Sequence, residues 1–170
     1  TPTPSPMAHD MLFRGVAPAL VTPFTSDDDI DEVAFRRLID AQIEGGVSAL
    51  VVLGTTGENP TITEDERRRI VDAALDAADG RVPVIVGTGT NNTAQSVAFS
   101  EAAVDAGADG LLVVGPYYNK PSQAGFKAHV QRIAEAADAP LLLYNVPGRT
   151  HFHIAADTAL ALAREVPQVV

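Results

Sequence analysis

The run Leu50-Val51-Val52-Leu53 is apolar at every position and passes straight into Gly54-Thr55-Thr56-Gly57-Glu58-Asn59. A strand with one wet face alternates apolar and polar residues, so an unbroken apolar run closed by a glycine-rich turn reads as a parallel strand covered on both faces. Leu111-Leu112-Val113-Val114 repeats the pattern. Working outward, apolar runs at 16–22, 49–53, 82–86, 110–114 and 140–144 begin about 30 residues apart, the length of one βα unit, and a sixth begins at Val169.

The stretches between them read as helices with defined ends. Thr63 and Glu66 form a capping box ahead of Ile70, Val71, Ala74, Leu75 and Ala78, with Gly80 as the terminating glycine. Glu64/Arg68 and Asp65/Arg69 stand four apart with the acid first, the order that favours ion pairing along a helix. A helix over 31–44 turns Phe35, Leu38, Ile39 and Ile43 inward and stops at Gly45-Gly46, and others are expected over 93–106, 122–137 and 156–164. Five β-then-α units fit either a doubly wound sheet or part of a (β/α)8 barrel, and periodicity alone does not choose. Both folds place their chemistry at the C-terminal ends of the strands.

The whole sequence has 170 residues, short of the roughly 250 that a complete barrel needs. Its 46% hydrophobic and 20% charged residues are those of a chain able to bury a core. Residues 1–12, with Pro2, Pro4 and Pro6 among small polar residues, are expected to be a disordered tail ahead of a domain over 13–170. No apolar run is long enough for a membrane span and the N-terminus lacks a signal-peptide pattern, so a cytoplasmic protein without membrane contacts is expected. The absence of cysteine excludes disulfides, thiolate metal sites and a cysteine nucleophile within these residues. A net charge of −10 argues against nucleic acid as a partner.

Polar motifs follow successive strands. Thr55 and Thr56, with nearby backbone N–H groups, could bind a small carboxylate and orient a proton, or simply cap a glycine-rich turn. Tyr117 and Tyr118, in Pro116-Tyr117-Tyr118-Asn119-Lys120-Pro121, fit packing or an interface, although a tyrosine in a hydrogen-bonded chain can also pass a proton. Tyr144-Asn145-Val146-Pro147-Gly148-Arg149-Thr150 puts a third tyrosine and an isolated arginine past a buried strand, where Arg149 could grip a carboxylate or form a surface ion pair. His151 and His153 would share a face in an extended segment but lack a third ligand, so no metal is expected; His9 and His129 have no evident partner.

These motifs, in this order, together with Ala19-Leu20-Val21-Thr22-Pro23-Phe24 and Gly87-Thr88-Gly89-Thr90-Asn91, resemble the dihydrodipicolinate synthase family of class I pyruvate-dependent aldolases. The resemblance runs from about Gly15 to the last residue. It implies a (β/α)8 TIM barrel, of which this chain supplies about the first five βα units and the start of strand six. It further implies an enzyme without a cofactor that condenses pyruvate, held as a lysine Schiff base, with L-aspartate 4-semialdehyde on the diaminopimelate route to lysine. Thr55, Tyr118 and Tyr144 would form the proton relay, Thr56 would hold the pyruvate carboxylate, and Arg149 would bind that of the semialdehyde. A homotetramer of tight dimers is implied, with Tyr117 at the tight contact and Tyr118 completing the neighbouring subunit's relay.

The likeness also has departures. The family's lysine lies at the end of the sixth strand, beyond Val169-Val170, and neither Lys120 nor Lys127 matches it. These residues are therefore expected to be the first part of a longer polypeptide, since half a barrel leaves open sheet edges. A chain that ended here would be a non-catalytic half-barrel. Related N-acetylneuraminate lyases and 2-keto-3-deoxygluconate aldolases are the enzyme alternatives, with Arg149 as the discriminator. Lysine-inhibited members bind lysine through a Ser, two His, an Asn, a Glu and a Tyr; the matching positions are Asn59, Glu64, Arg67, Asn91, Gln95 and Tyr117. An arginine for a histidine and a glutamine for the glutamate disfavour a cationic ligand, so weak or absent inhibition by lysine is expected. His151-Phe152-His153 replaces residues that are small and apolar in the family.

Overall fold

A computed structural model describes residues 11–170, so most of the expected tail over 1–12 lies outside the described residues. Leu12 packs beside Phe13 and Ala17 against the sheet residues Ala49, Val51 and Ile85. The element order is α1 (Glu32–Glu44), β1 (Leu50–Val52), a 3-10 turn (Asn59–Thr61), α2 (Glu64–Ala78), β2 (Val84–Gly87), α3 (Thr93–Ala106), β3 (Gly110–Val114), α4 (Gln123–Ala136), β4 (Leu141–Tyr144), α5 (Pro147–Thr150) and α6 (Ala156–Glu165).

The four strands form one parallel sheet in the order β1-β2-β3-β4, with Leu50 opposite Val84, Ile85 opposite Gly110 and Leu111 opposite Leu141. Strand order that follows chain order without reversal is the barrel arrangement; a doubly wound sheet reverses at its switch point. Side chains alternate strictly across it. Leu50, Val52, Val84, Val86, Leu111, Val113 and Leu141 face the main core with the helices, whereas Ala49, Val51, Ile85, Leu112 and Leu142 form a second cluster on the opposite, concave face. Both faces are apolar, which is why the strands carry no polar alternation.

The segment 16–22, expected as a strand, makes a single parallel bridge, Ala19 to Val51. Ser48 N–H donates to Val16 O, Val51 N–H to Pro18 O and Leu20 N–H to Val51 O. The next rung toward the N-terminus would need an N–H from residue 18, and proline has none. At the other edge Leu141 bridges Val169, where the sixth run was expected to begin.

Helix ends follow their caps. Asp31, Asn92 and Ser122 each accept a backbone N–H at an N-terminus, and Thr63 and Glu66 form the reciprocal capping box. The bond from the Thr63 N–H holds the Glu66 carboxyl below its usual range. The chain leaves α2 through Asp79 in the left-handed region, one residue before Gly80. The two expected ion pairs along α2 are replaced. Arg68 reaches Asp65 at 2.6 Å, three residues back, while Arg69 crosses to α1 and bonds Glu32 at 2.9 Å and Asp29 at 2.8 Å. Glu32 in the first turn of α1 and Asp29 in the segment ahead of it offer Arg69 two carboxylates at once, so the contact along its own helix loses. Arg69 lowers the Asp29 carboxyl in turn. Among the described residues no helix is long and apolar enough to cross a membrane.

Candidate active site at the C-terminal ends of the strands

The chain turns sharply after β1, β3 and β4. Leu53 and Glu58 after β1, Tyr118 and Lys120 after β3, and His151 after β4 all have positive φ without being glycine. Such strain concentrates where a fold holds side chains in fixed positions. Gly87, at the end of β2, allows the closest approach: a Cβ there would stand 2.0 Å from the carbonyl oxygen of Leu53. Only glycine lets β1 and β2 run so near each other at this end.

Between these turns lies a cleft of about 200 Å³ floored by Leu112 and Val114 and walled by Thr55, Tyr117, Tyr144 and Arg149. The hydroxyls of Tyr144 and Thr55 are 3.2 Å apart, a hydrogen bond joining the ends of β4 and β1 across the concave face. Arg149, on the short helix α5, stands at the rim with its guanidinium exposed. A hydrogen-bonded hydroxyl pair can shuttle a proton, and an arginine fork beside it can take a carboxylate.

Other expected site residues lie elsewhere. Tyr118 is 86% exposed and is not among the residues lining the cleft of its own chain. Thr56 is exposed beside Thr55 and also lies outside the lining. Lys127 pairs with Glu165 at 2.9 Å between α4 and α6, and Lys120 is exposed in the loop after β3, so neither reaches the hydroxyl pair.

A second cavity of about 200 Å³ adjoins the cleft, and Asn59, Pro60 and Tyr117 border both. Glu64, Arg67 and Gln95 complete it, so five of the six positions matched to a lysine site are gathered here. Asn91 is close by but turns its carbonyl to the side-chain amide of Asn119. Arg67 is only 6% exposed. It donates to Gly87 O at 2.9 Å and to the Asn59 side chain, stacks 4.0 Å over the Phe99 ring, and leaves Nε unpartnered. Burial pushes its guanidinium down to about 10, still charged at neutral pH.

Several contributors were not legible in sequence. Thr88, Thr90, Ser96 and Ser100 form a buried hydroxyl ladder behind β2, with Ser100 donating to Thr88 at 2.8 Å and Thr90 lying 3.0 Å from Ser96. The i, i+4 spacing of the two serines opposite Thr88-Gly89-Thr90 was the available signal. His129 does have a partner, Thr93 Oγ1 at 2.9 Å from Nδ1. His151 and His153 do not share an extended face: His151 caps α5 in the left-handed region, and His153 Nδ1 meets the Asn145 amide at 3.1 Å. Phe152 between them is core, its ring 5.3 Å from that of Phe126. No cluster of three or more potential metal ligands occurs among the described residues.

A family model described as the dihydrodipicolinate synthetase family matches residues 12–170. A 4-hydroxy-tetrahydrodipicolinate synthase of Salinibacter ruber is 89% identical over 163 residues, 96% of this chain and 54% of that protein. The crystal structure of a dihydrodipicolinate synthase from Thermotoga maritima superposes with a TM-score of 0.92 at 47% identity, covering 94% of this chain and 54% of that one. A chloride-inhibited dihydrodipicolinate synthase from Acinetobacter baumannii, solved with pyruvate, gives a TM-score of 0.90 at 41% identity over 94% of this chain and 54% of that one. The chain thus spans about half the length of the relatives it matches.

Proposed function

Because the chain belongs to the dihydrodipicolinate synthetase family, we propose that the whole protein is a 4-hydroxy-tetrahydrodipicolinate synthase, with this chain supplying its proton relay and its grip on the second substrate. The observation that carries the proposal is the Tyr144–Thr55 hydrogen bond inside a cleft that Arg149 overlooks. A lysine amine from outside these residues adds to the carbonyl of pyruvate and water leaves, giving an iminium. The iminium draws electrons from the neighbouring methyl group, which loses a proton to become an enamine. The enamine carbon then attacks the aldehyde of L-aspartate 4-semialdehyde. Tyr144, nearest the imine, moves protons in both steps through Thr55. Thr56 binds the pyruvate carboxylate and Arg149 that of the semialdehyde. The exposed Tyr118 enters the relay of a neighbouring subunit, in a homotetramer of tight dimers that works in the cytoplasm.

Borohydride trapping tests the division of labour. The full-length polypeptide incubated with pyruvate and borohydride should gain one covalent adduct beyond Val170, and the 170-residue chain none. An adduct on Lys120 or Lys127 would overturn the assignment. Product from pyruvate and aspartate semialdehyde is expected; turnover of N-acetylneuraminate or 2-keto-3-deoxygluconate alone would reject the synthase reading in favour of a related aldolase.

A further inference from the structure

We propose that Gln123 and Asn145 are positioning residues that clamp the loop carrying Arg149, and so set the enzyme's affinity for the second substrate's carboxylate. The inference rests on the proposed function for its substrate, but the clamp itself is a matter of hydrogen bonds. Arg149 lies on α5, a single helical turn that begins at Pro147 with no side-chain cap, and nothing regular follows until α6 starts at Ala156. An exposed arginine on so short a turn needs anchors at both ends if its fork is to meet a carboxylate in one orientation.

Both anchors are present, and both are side-chain amides. Gln123, the first residue of α4, donates from Nε2 to the carbonyl of His153 at 2.8 Å and accepts the N–H of Ala155 on Oε1 at 3.1 Å. An amide that pairs with the carbonyl of one residue and the N–H two further on copies the hydrogen bonding of a neighbouring strand. Asn145, directly after β4, accepts the N–H of Ile154 at 3.1 Å and donates Nδ2 to His153 Nδ1 at 3.1 Å. That donation requires His153 to carry its ring proton on Nε2. Asn145 thereby ties the first residue of the loop to nearly its last. The span between closes on itself: Thr150 Oγ1 donates within reach of Phe152 O at 2.8 Å, and the Phe152 ring fills the space over Gly115, where a Cβ would sit 2.8 Å from it. Phe152 is thus the apolar pin of the loop, and the carbonyl and ring of His153 are where the two amides hold it.

The geometry links two units. Gln123 follows β3 and Asn145 follows β4, so the clamp fixes the loop of one βα unit to the helix of the preceding one. Neither residue lines the cleft, and the loop they hold is the one that carries Arg149.

The test uses Gln123→Leu, which keeps volume and removes both bonds, with Gln123→Glu retaining only the acceptor for Ala155. In the full-length enzyme, amide exchange at Phe152, Ile154 and Ala155 should rise about ten-fold or more in Q123L while α2 and α3 are unchanged, with Q123E intermediate. In the full-length enzyme, Q123L should raise KM for aspartate semialdehyde about ten-fold, leaving kcat and the KM for pyruvate within about two-fold. In an Arg149→Leu background the same change should add nothing. Unaltered exchange, a parallel rise in both KM values, or a full additional loss on top of R149L would each overturn the clamp. Absence of any condensation by the parent enzyme would sink the proposed function instead, and exchange at these amides of the full-length polypeptide would still decide whether the clamp exists.

Discussion

Tyr144 and Thr55 are joined by a hydrogen bond between their hydroxyls, so removing the Tyr144 oxygen takes away the proton path and leaves the ring in place. Tyr144→Phe in the full-length enzyme should lower kcat by about 10² to 10³ while leaving the KM for pyruvate nearly unchanged, as expected when a proton carrier is lost. Steady-state kinetics would show it; a kcat within two-fold of the parent would remove Tyr144 from the relay. A second residue reports on acid stability. Burial pushes the imidazole of His129 down to about 4, and its Nε2 has no partner. An unfolded chain protonates that ring near pH 6.5. The neutral ring's contribution is therefore complete above pH 6.5 and is lost as pH falls from there towards 4, because the unfolded state then binds the extra proton. By pH 4.5 the loss should be on the order of 2 kcal/mol, and urea unfolding of the parent should fall with pH more steeply than that of His129→Gln. Equal slopes would show that this ring does not set the acid limit.

At the scale of elements, the end of β2 lies close against β1. Gly87→Ala drives a methyl group into the Leu53 carbonyl and should cost about 3 kcal/mol in urea unfolding, since backbone must move to admit it. Wild-type stability in that variant would mean that β1 and β2 diverge at this end. The α2 side of the second cavity carries another prediction. Arg67 stays cationic there, and Gln95 contributes no negative charge, so an ammonium ligand meets repulsion that exposed Glu64 offsets only in part. Lysine below a millimolar should leave condensation by the full-length enzyme essentially uninhibited, and substantial inhibition in that range would contradict this reading of Arg67. What could be read from sequence at this scale was whatever local chemistry fixes. Caps at Asp31, Thr63, Asn92 and Ser122 set helix starts, and the apolar runs set β1 to β4. What escaped depended on neighbours. Arg69 chooses α1 over its own helix, Pro18 reduces a strand to one rung, and the clamp on Arg149 joins residues from separate units.

For the whole molecule, strand order equal to chain order separates the barrel from the doubly wound sheet, which periodicity alone had left open. The motif resemblance had already pointed there, because its residues cluster after successive strands. The sheet also has two edges, at Ala19 and at Val169, each joined by one bridge. Edges of this kind recruit other strands. The 170-residue chain by itself should therefore sediment with a mass above 17.8 kDa that grows with concentration, and a strictly monomeric profile would mean that the edges are covered. The same topology bears on how the protein comes off the ribosome. Every rung joins residues roughly thirty apart, as Leu50 with Val84 and Leu111 with Leu141. Synthesis at about 5 to 20 residues per second delivers a new strand every few seconds, far longer than local pairing takes. Each strand thus meets a neighbour that has already emerged, and the sheet can grow in the direction of translation, one unit at a time, without waiting for distant parts of the polypeptide.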